Sequence, residues 1–321
     1  MTGTLPPDVQ DVFDRFITTE YTTIDSRGQP IAWPVTPYYK SGDTTIDVTT
    51  GVGYPKKAQD ARRNPQVSLL FSDPNGSGIE SGIRVLVHGT AEVDDRDLKA
   101  NRERYFEESG QKLPASKELL PPKAIRGMFS WYFERIYVKV RPERVFVWPD
   151  GDFSKQPTLH DAHLEEVRSG HVEEATEPPA PAAGGEVAWD GRIEELGRRY
   201  DDAVLAWVAP DGFPLAARLP SRCDRSDKAV RIGTEPAGLP LVEGRACLTA
   251  HSHAPDFSWQ ENFQVRGDLV HDSDGWALIP HKLVGGFELP DESMLARYRR
   301  NLRKSVRFYR IRRNLLKSRS G

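Results

Sequence analysis

The sequence predicts a mainly β protein of the α+β class, in which two tandem β-barrels are joined to short flanking helices. Three observations predict this fold. Many short segments alternate apolar and polar residues, glycine-containing turns separate these segments, and the second half of the chain repeats the plan of the first. A length of 321 residues suits two domains better than one.

Four regions are predicted along the chain. The first barrel takes residues 1–150, and an acidic, Pro/Ala-rich linker takes residues 151–186. A degenerate second barrel takes residues 187–290, and a basic amphipathic helix takes residues 291–321.

The elements of the first half follow from periodicity and turn signals. Residues 8–19 place apolar side chains on one helical face, and β-branched or aromatic runs after them predict strands. Predicted strands cover 21–25, 31–40, 44–50, 66–72, 83–93, 135–140 and 144–148, and predicted helices cover 56–63 and 95–109. Six or seven strands with few helices favour a barrel.

The second half repeats this order, which we interpret as a divergent tandem duplication. A helix is predicted over 189–200, followed by strands over 203–209 and 214–219. The turn glycine Gly28 corresponds to Gly212, and Gly89 corresponds to Gly267. The two halves therefore share their spacing to within a short deletion.

Charge is distributed unevenly, although the net charge is only −3. Residues 291–321 contain eleven basic and two acidic residues, so the rest of the chain forms an acidic body. The sequence contains no apolar run long enough for a membrane span and no secretory signal, which predicts a cytoplasmic protein without integral membrane association. Cys223 and Cys247 are too few for a disulfide framework and are expected to be reduced.

The residues that the second half lacks correspond to a loop of the first half. In this loop a strand end leads through Gly51 and Gly53 into the start of a helix that carries Lys56 and Lys57. Backbone N–H groups at a helix start, the helix dipole and two ammonium groups together favour binding of a phosphate or another anion. The alternative interpretation is an ordinary loop with solvated lysines. A dinucleotide fingerprint is excluded because the third glycine is missing.

Three segments of the first half resemble the pyridoxamine 5′-phosphate oxidase-like family of FMN-binding split barrels, also called flavin/deazaflavin oxidoreductases. They are the glycine loop with Lys56-Lys57-Ala58, the run Asn64-Pro65-Gln66-Val67, and the strand Val85-Leu86-Val87-His88-Gly89. The resemblance covers about residues 8–148. Residues 189–289 show it only in a degenerate form. It implies a six-stranded Greek-key split barrel that holds FMN, or the deazaflavin F420, in a cleft commonly completed by a second barrel.

The resemblance also implies positions for the cofactor phosphate. Lys57 falls on the lysine that contacts phosphate in the family, and Lys56 falls on the neighbouring basic position. Thr49, Thr50 and Gly51 fall at the strand end that the phosphate usually touches.

A second set of positions is implied for the flavin ring, whose isoalloxazine lies along the backbone of one strand. Pro34, Val35, Thr36 and the following Pro37 match that segment. In the loop, Tyr54-Pro55 replaces the usual serine or threonine, so Tyr54 is expected at the site with altered phosphate contacts.

The second half lacks these features at the equivalent place. Residues 231–238 contain no lysine and are too few for the short helix, so we expect no flavin phosphate there. The second barrel is expected to serve as an internal partner wall, forming a pseudo-dimer with the first. A homodimer of first barrels is the competing arrangement.

The histidines give weaker signals. His251 and His253 share one face of a strand, but no third ligand stands at a recognisable spacing, so core or cleft-lining roles are favoured and no metal site is predicted. Some relatives bind haem through a histidine, which keeps His88, His251 and His253 in an alternative interpretation. A solvated charged helix is predicted around His160, His163 and His171.

Two aromatic patterns remain. The run from Trp131 to Phe133 is expected in the core. In the basic tail the apolar stripe consists of Leu295, Tyr298, Leu302, Val306 and Tyr309. We expect this helix to dock on the acidic body of its own chain, while binding of nucleic acid or an anionic surface stays open.

These features together predict an FMN-dependent oxidoreductase that acts on a small organic substrate, with no catalytic acid or base assigned. F420 is the nearest alternative cofactor, because the arginine- and alanine-rich composition is typical of organisms that make it. A non-enzymatic protein that binds haem or flavin is the alternative from another functional class.

Overall fold

The computed structural model describes residues 5–113, 130–161, 186–285, 306–314 and 317. Within these ranges the chain forms two antiparallel barrels with short helices, so the predicted mainly β fold of two tandem barrels is confirmed. No helix in the described ranges is long and apolar enough to cross a membrane.

The first barrel is a seven-stranded sheet in the order β2-β1-β4-β5-β6-β3, with β7 paired to β6. Its strands are β1 (Thr19–Ile24), β2 (Pro30–Val35), β3 (Ile46–Gly51), β4 (Gln66–Phe71), β5 (Arg84–Asp94), β6 (Arg135–Trp148) and β7 (Thr158–Asp161). Tyr38 and Asp47 exchange backbone hydrogen bonds of 2.7 and 2.9 Å, and this bridge joins the chain beyond β2 to β3. The bridge brings the two edges of the sheet together.

Among residues 5–113 and 130–161, the structure has four helices beside this sheet: α1 (Pro7–Arg15), α2 (Lys56–Arg63), α3 (Leu98–Lys112) and α4 (Ser130–Phe133). Helix α1 buries Val9, Val12 and Phe13 against the barrel. It ends at Arg15, earlier than predicted, because Phe16 already adopts an extended conformation that leads into the β-branched start of β1.

The second barrel is closed and has the same strand order as the first, β9-β8-β11-β12-β13-β10, with β10 also paired to β9. Its strands are β8 (Asp202–Val208), β9 (Pro214–Asp224), β10 (Ala229–Ile232), β11 (Gly244–His253), β12 (Gln260–Asp272) and β13 (Gly275–Gly285). The prediction of a helix over 189–200 is wrong, because only Ile193–Glu195 forms a 3₁₀ turn. Gly197 has a φ of +78°, which ends helical geometry there.

The repeated glycines occupy equivalent places in the two barrels. Gly28 and Gly212 lie in the β1–β2 and β8–β9 turns, with φ angles of +74° and +83°. Gly89 and Gly267 lie at bulges of β5 and β12, where a Cβ atom would come within 2.4 Å of the Arg141 oxygen and 1.9 Å of the Ile279 oxygen, respectively. Only glycine permits this close approach of neighbouring strands.

The two barrels pack against each other along a surface that we call the inter-barrel seam. It is formed by β1, β2 and β4 of the first barrel facing β8, β9 and β11 of the second. Strand β2 contacts β8 and β11, and its counterpart β9 contacts β1 and β4. This reciprocal packing is the arrangement of a two-fold dimer within one chain.

Candidate functional site

The glycine loop after β3 is held by its own backbone and by α4. The N–H groups of Val52 and Gly53 donate to the carbonyls of Glu134 and Trp131 at 3.0 and 2.8 Å, and the N–H of Tyr54 donates to Gly51 at 2.9 Å. A Cβ atom at Gly51 would lie 3.0 Å from the Trp131 oxygen, so the loop packs too closely for a side chain there. These loop N–H groups therefore already have acceptors.

The first turn of α2 provides the remaining donors. Its N-cap is Pro55, which gives no side-chain cap, and the first bond back into the helix is made by the N–H of Gln59 to the Pro55 carbonyl at 2.9 Å. The N–H groups of Lys56, Lys57 and Ala58 precede that bond and point along the helix axis. They form the positive end of the helix dipole.

Lys56 faces away from this turn toward acidic side chains. Its ammonium lies 2.9 Å from an Asp60 carboxylate oxygen and 3.5 Å from one of Asp25, and half of its side chain is exposed. Its charge is therefore largely compensated by residues of its own barrel.

Lys57 lies one position further along the helix and points in a different direction, toward the start of β6. Burial and, to a smaller extent, the positive charge of Arg135 together lower its pKa to about 8. Among the described residues no carboxylate pairs with the Lys57 ammonium. Lys57 is only partly accessible, because successive helical residues are rotated by about 100° and α2 turns its inner side to β6.

Arg135 is the residue directly opposite Gly51 in the β3–β6 pairing, and it is buried. Its guanidinium donates to the Tyr105 hydroxyl at 2.7 Å and lies over the rings of Tyr105 and Tyr132 at 4.1 and 4.3 Å. Its Nε atom is buried without a hydrogen-bond partner. Sequence reasoning missed this residue, because its pairing with Gly51 appears only when β6 is placed beside β3.

The two threonines before the loop have different surroundings. The buried Thr50 hydroxyl donates to the Tyr54 carbonyl at 2.8 Å. Thr49 is partly accessible and lies opposite Tyr137, on the same face of the β3–β6 pair as Arg135. Thr49 is thus on the Arg135 side, whereas Thr50 stabilises the loop conformation.

The predicted ring segment, Pro34 to Thr36, is partly accessible and lies at the far end of β2. Lys56 contacts Asp25 near the other end, and the length of the strand separates the two positions by about 17 Å at the usual rise per residue. Nearby, the Ala32 carbonyl accepts hydrogen bonds from Thr249 and Gln264 of the second barrel at 2.8 and 2.7 Å. Only an elongated ligand could reach both the loop and this segment.

A buried polar network crosses the inter-barrel seam. Glu20 on β1 accepts hydrogen bonds from Ser72 at 2.9 Å and from Arg218 on β9 at 3.0 Å. The Nε2 atom of His251 lies 2.6 Å from the same carboxylate. Burial opposes ionisation of Glu20, but the His251 hydrogen bond and the Arg218 charge outweigh it, and the pKa of the carboxyl is lowered.

Sequence reasoning missed Glu20 and Arg218, although both interrupt otherwise apolar or β-branched strands. Arg218 lies six residues beyond Gly212, as Pro34 lies six residues beyond Gly28. In the register of each hairpin, Glu20 pairs with Pro34 and Val204 pairs with Arg218. A charged residue thus stands in the second barrel where the first has the predicted ring segment.

His88, His251 and His253 are buried, as expected for core or cleft-lining residues. His253 contacts the Thr18 hydroxyl at 3.3 Å, and both ring nitrogens of His88 lack partners. No group of three His, Cys, Asp or Glu among the described residues could hold a metal ion. The prediction for His160 is wrong, because it lies in β7 opposite Val145. The start of the predicted linker, residues 151–161, thus belongs to the first barrel, whereas His163, His171 and residues 162–185 lie outside the described residues.

The described part of the basic tail, residues 306–314, is helical and docks on the first barrel. Phe308 stacks on Trp131 at 4.7 Å and meets the Tyr54 ring edge-on at 4.6 Å. Arg312 donates twice to Glu134 at 2.7 Å. Docking on the chain's own body is confirmed for these residues.

The docked face differs from the predicted stripe. Val306 is 69% exposed and Tyr309 is 40% exposed, whereas Phe308 is only partly accessible. The prediction that Val306 and Tyr309 belong to the docked face is therefore wrong. Phe308 packs into an aromatic pocket around Trp131, and this contact turns Val306 and Tyr309 toward solvent. In that pocket Trp131 and Phe133 are buried, as predicted.

No protein-family model matches this chain, and no curated protein matches its sequence. Solved structures do show likeness. A Clostridium acetobutylicum protein related to general stress protein 26 of B. subtilis (pyridoxinephosphate oxidase family) is 12% identical, with 48% of this chain and 92% of that chain covered and a TM-score of 0.33.

Two further neighbours are a FAD-binding protein from Mesorhizobium loti and an F420 reductase. The first is 16% identical, with 44% of this chain and 89% of that chain covered and a TM-score of 0.30. The second is 16% identical, with 44% of this chain and 98% of that chain covered and a TM-score of 0.32. Each likeness spans less than half of this chain and nearly all of the neighbour.

Proposed function

We propose that this chain is a flavin-binding oxidoreductase of the pyridoxamine 5′-phosphate oxidase-like type. Its first barrel would hold the phosphate of FMN between Lys57, Arg135 and the first turn of α2. The observation that carries the proposal is that Lys57 lies close enough to the buried Arg135 for their like charges to interact, while neither cation has a carboxylate partner among the described residues.

Two uncompensated cations in one pocket lower the stability of the empty protein, since each has lost hydration without gaining a counter-charge. A phosphate dianion would supply that charge and would accept the hydrogen bond that the Arg135 Nε atom does not make. The N–H groups of Lys57 and Ala58 would add helix-end donors. The donor set is therefore suited to a phosphate ester.

The rest of the cofactor would extend toward Pro34, Val35 and Thr36, next to the inter-barrel seam. The second barrel would serve as the wall of this cleft, which makes the chain an internal pseudo-dimer. When bound, the flavin supplies the hydride or electron transfer to a small organic substrate, and the protein binds it and limits access of water. In this proposal Lys56 adds positive potential, while Thr49 and Gly51 line the phosphate end.

F420 is the alternative cofactor of the same pocket, because it also carries a phosphate group near its ring system. Haem fits the described residues less well. The His88 nitrogens are enclosed by the Phe146 and Phe213 rings at 5.0 and 5.1 Å, and His251 already contacts Glu20. A haem iron would need one of these nitrogens free and accessible.

The test compares two neighbouring lysines. The purified chain is titrated with FMN and with F420, and binding is followed by absorption and fluorescence. We expect Lys57→Gln to weaken FMN binding by roughly tenfold or more, because a charge-assisted contact is lost. Lys56→Gln serves as the matched control and should change the Kd by about threefold or less, since its ammonium pairs with Asp25 and Asp60.

Equal losses in the two variants, or unchanged binding in Lys57→Gln, would contradict the proposed site. Preferential binding of F420 would replace FMN as the proposed cofactor and would leave the proposed binding pocket unchanged. A Soret band in the purified protein would favour haem. Failure of all three cofactors to bind would favour a non-enzymatic role for the chain.

A further inference from the structure

The short helix α4 and the residues that follow it hold two parts of the pocket proposed above for the phosphate. The carbonyls of Trp131 and Glu134 accept the N–H groups of Gly53 and Val52, which lie in the glycine loop, at 2.8 and 3.0 Å. Arg135 comes directly after Glu134 and begins β6. The position of α4 therefore determines where the glycine loop and Arg135 lie relative to each other.

Helix α4 depends on packing for its stability. It has only four residues, and so short a helix is not stable by itself in water, because its few hydrogen bonds do not offset the conformational entropy that is lost. Trp131 and Phe133 of this helix are buried in an aromatic cluster that also contains Tyr54, Tyr132 and Phe308. Phe308 thus supplies part of the packing that α4 requires.

The helix of residues 306–314, which we call the tail helix, contacts the same two residues whose carbonyls hold the glycine loop. The Phe308 ring stacks on Trp131 with ring centroids 4.7 Å apart and an interplanar angle of 25°. Arg312 lies one turn further along the same helical face and donates to both carboxylate oxygens of Glu134 at 2.7 Å. The tail helix is therefore attached at two points, one apolar and one charged.

A second series of contacts runs through Tyr54 of the glycine loop. Its ring meets Phe308 edge-on at 4.6 Å and Trp131 at 5.5 Å. Burial raises the pKa of the Tyr54 hydroxyl and the positive charge of Arg135 opposes this rise, so the two groups are close enough to interact. The Tyr54 ring thus connects Phe308 with the Arg135 side of the pocket.

We propose that Phe308 and Arg312 are positioning residues for the phosphate pocket. Docking of the tail helix holds α4, and α4 holds the glycine loop and Arg135 in the arrangement that binds the phosphate group. This inference rests on the proposed function, and neither residue needs to contact the phosphate itself.

Docking and phosphate binding stabilise the same arrangement, so each favours the other by an equal factor. A residue that only stabilised the barrel would change the free energy of unfolding and leave the affinity for the cofactor unchanged. It would also gain no protection from a bound cofactor. The two measurements below separate these cases.

Binding affinity tests the role of Phe308. The full chain is titrated with the cofactor, FMN or F420, that the lysine comparison above selects, and circular dichroism verifies that each variant is folded. We expect Phe308→Ala to raise the Kd about fivefold or more, and Phe308→Leu, which keeps a large apolar side chain, to raise it less. Val306→Ala is the control and should keep the wild-type Kd, because Val306 is 69% exposed.

Arg312→Gln tests the charged contact, and Arg310→Gln is its matched control. Both variants remove one positive charge from the tail helix, so both weaken the long-range attraction of an anionic cofactor to a similar extent. Arg310 is exposed and makes no ion pair with the described residues. Arg312→Gln should therefore raise the Kd about threefold more than Arg310→Gln does, since only Arg312 anchors the helix to Glu134.

Protease sensitivity measures the reciprocal effect on the tail helix. Saturating cofactor should slow trypsin cleavage at Arg307, Arg310 and Arg313 of the wild-type chain about fivefold or more, because the bound phosphate favours the docked helix. The corresponding ring compound without phosphate, which is riboflavin in the case of FMN, should protect these sites less.

The possible failures are distinguishable. A wild-type Kd in both Phe308→Ala and Arg312→Gln, together with weakened binding in Lys57→Gln, would overturn this inference and leave the proposed function intact. Absence of cofactor protection, or tighter binding in Phe308→Ala, would overturn it as well, the latter by showing that the tail helix obstructs the pocket. Failure of the wild-type chain to bind either cofactor would overturn the inference and the proposed function together.

Discussion

Lys56 and Lys57 are adjacent in sequence, yet their environments are opposite. Lys56 is half exposed and pairs with two aspartates, whereas Lys57 is more buried and has the positive charge of Arg135 as its neighbour. A cation in the second environment lowers the free energy of unfolding as long as no anion is bound. This loss in the free energy of unfolding can be measured because it depends on pH.

We predict that the empty protein becomes more stable as pH rises from 8 toward 10.5. The pKa of Lys57 falls from 10.5 in the unfolded chain to about 8 in the folded one, so the penalty is full below pH 8 and disappears as the folded state releases its proton. Thermal unfolding at pH 7 and 9.5 checks this. Lys57→Met should raise Tm at pH 7 and reduce the rise with pH.

Lys112 provides a second contribution to the same rise, because burial lowers its pKa to about 7. The informative comparison is therefore between variants, with Lys56→Met as the control that should keep the wild-type pH dependence. A Lys57→Met protein with an unchanged pH dependence would show that the amine is solvated.

His88 is a different kind of buried base, which lies in β5 and contacts Phe213 of the second barrel. Its ring stacks on Phe213 with an interplanar angle of 7°, and neither nitrogen has a partner. Burial lowers its pKa from 6.5 to about 3, and the neighbouring charge of Arg144 acts in the same direction. The folded state therefore keeps this imidazole neutral.

We predict that His88→Phe raises the free energy of unfolding by about 1 kcal/mol at pH 7, because an apolar ring replaces two unsatisfied nitrogens between aromatic neighbours. The stability linked to neutral His88 is complete above pH 6.5 and is lost as pH falls toward 3, so the advantage of the variant should grow in that window. Urea unfolding at pH 7 and pH 5 tests both statements. A less stable variant at both pH values would contradict them.

At the scale of elements, the helix of residues 306–314 shows how a single side chain determines docking. Phe308 fills the aromatic pocket formed by Trp131 and Tyr54, and its Cβ atom lies 3.1 Å from where a side chain at Gly53 would begin. The bidentate pair of Arg312 with Glu134 fixes the rotation of the helix. The helix therefore covers the glycine loop from outside.

We predict that Phe308→Ala releases this helix, because the lost packing on Trp131 is of the order of 1–3 kcal/mol for a partly buried aromatic side chain. Limited trypsin digestion measures the release through cleavage at Arg307, Arg310 and Arg313. Cleavage should become several-fold faster in Phe308→Ala than in Val306→Ala, whose side chain is 69% exposed. Equal rates in the two variants would show that Phe308 does not hold the helix.

Local signals allowed most elements to be predicted. The turn before Gly28, the helix ended by Asn64-Pro65 and the short strands are encoded by neighbouring residues, and they occur near their predicted places. The helix expected over 189–200 fails because Gly197 adopts a positive φ against the Arg222 backbone, a tertiary contact that periodicity cannot contain. The rotation of the 306–314 helix was mistaken for the same reason.

At the scale of the whole molecule, the Glu20–Arg218 pair connects the two barrels. The Glu20 side chain is fully buried and the Arg218 side chain is 9% exposed, and Ser72 and His251 complete the network. Removing one buried partner leaves the other charge without compensation. The pair therefore makes the stability of each barrel depend on the other.

We predict a single cooperative unfolding transition for the chain. Glu20→Met alone should lower the free energy of unfolding by about 3–5 kcal/mol, and the double variant Glu20→Met with Arg218→Met should recover most of that loss. Urea unfolding followed by fluorescence and circular dichroism measures both effects. Two separate transitions in the wild type, or no recovery in the double variant, would contradict the coupling.

Whether a site residue could be predicted also depends on how close in sequence it lies to the residues that it contacts. The glycine loop and its lysines lie together in sequence, so their closeness could be predicted. Arg135 and the seam network could not, because Arg135 lies 84 positions beyond Gly51 and Arg218 lies 198 beyond Glu20. Only the pairing of β6 with β3, and of one barrel with the other, brings these residues together.

The docking of Phe308 beside Gly53 has a consequence for biosynthesis. The two residues are separated by about 250 positions, so a ribosome has made the whole second barrel before the cover of the glycine loop emerges. Nascent first barrels therefore expose the Trp131 aromatic pocket to solvent and to chaperones until the segment that contains Phe308 has left the ribosome.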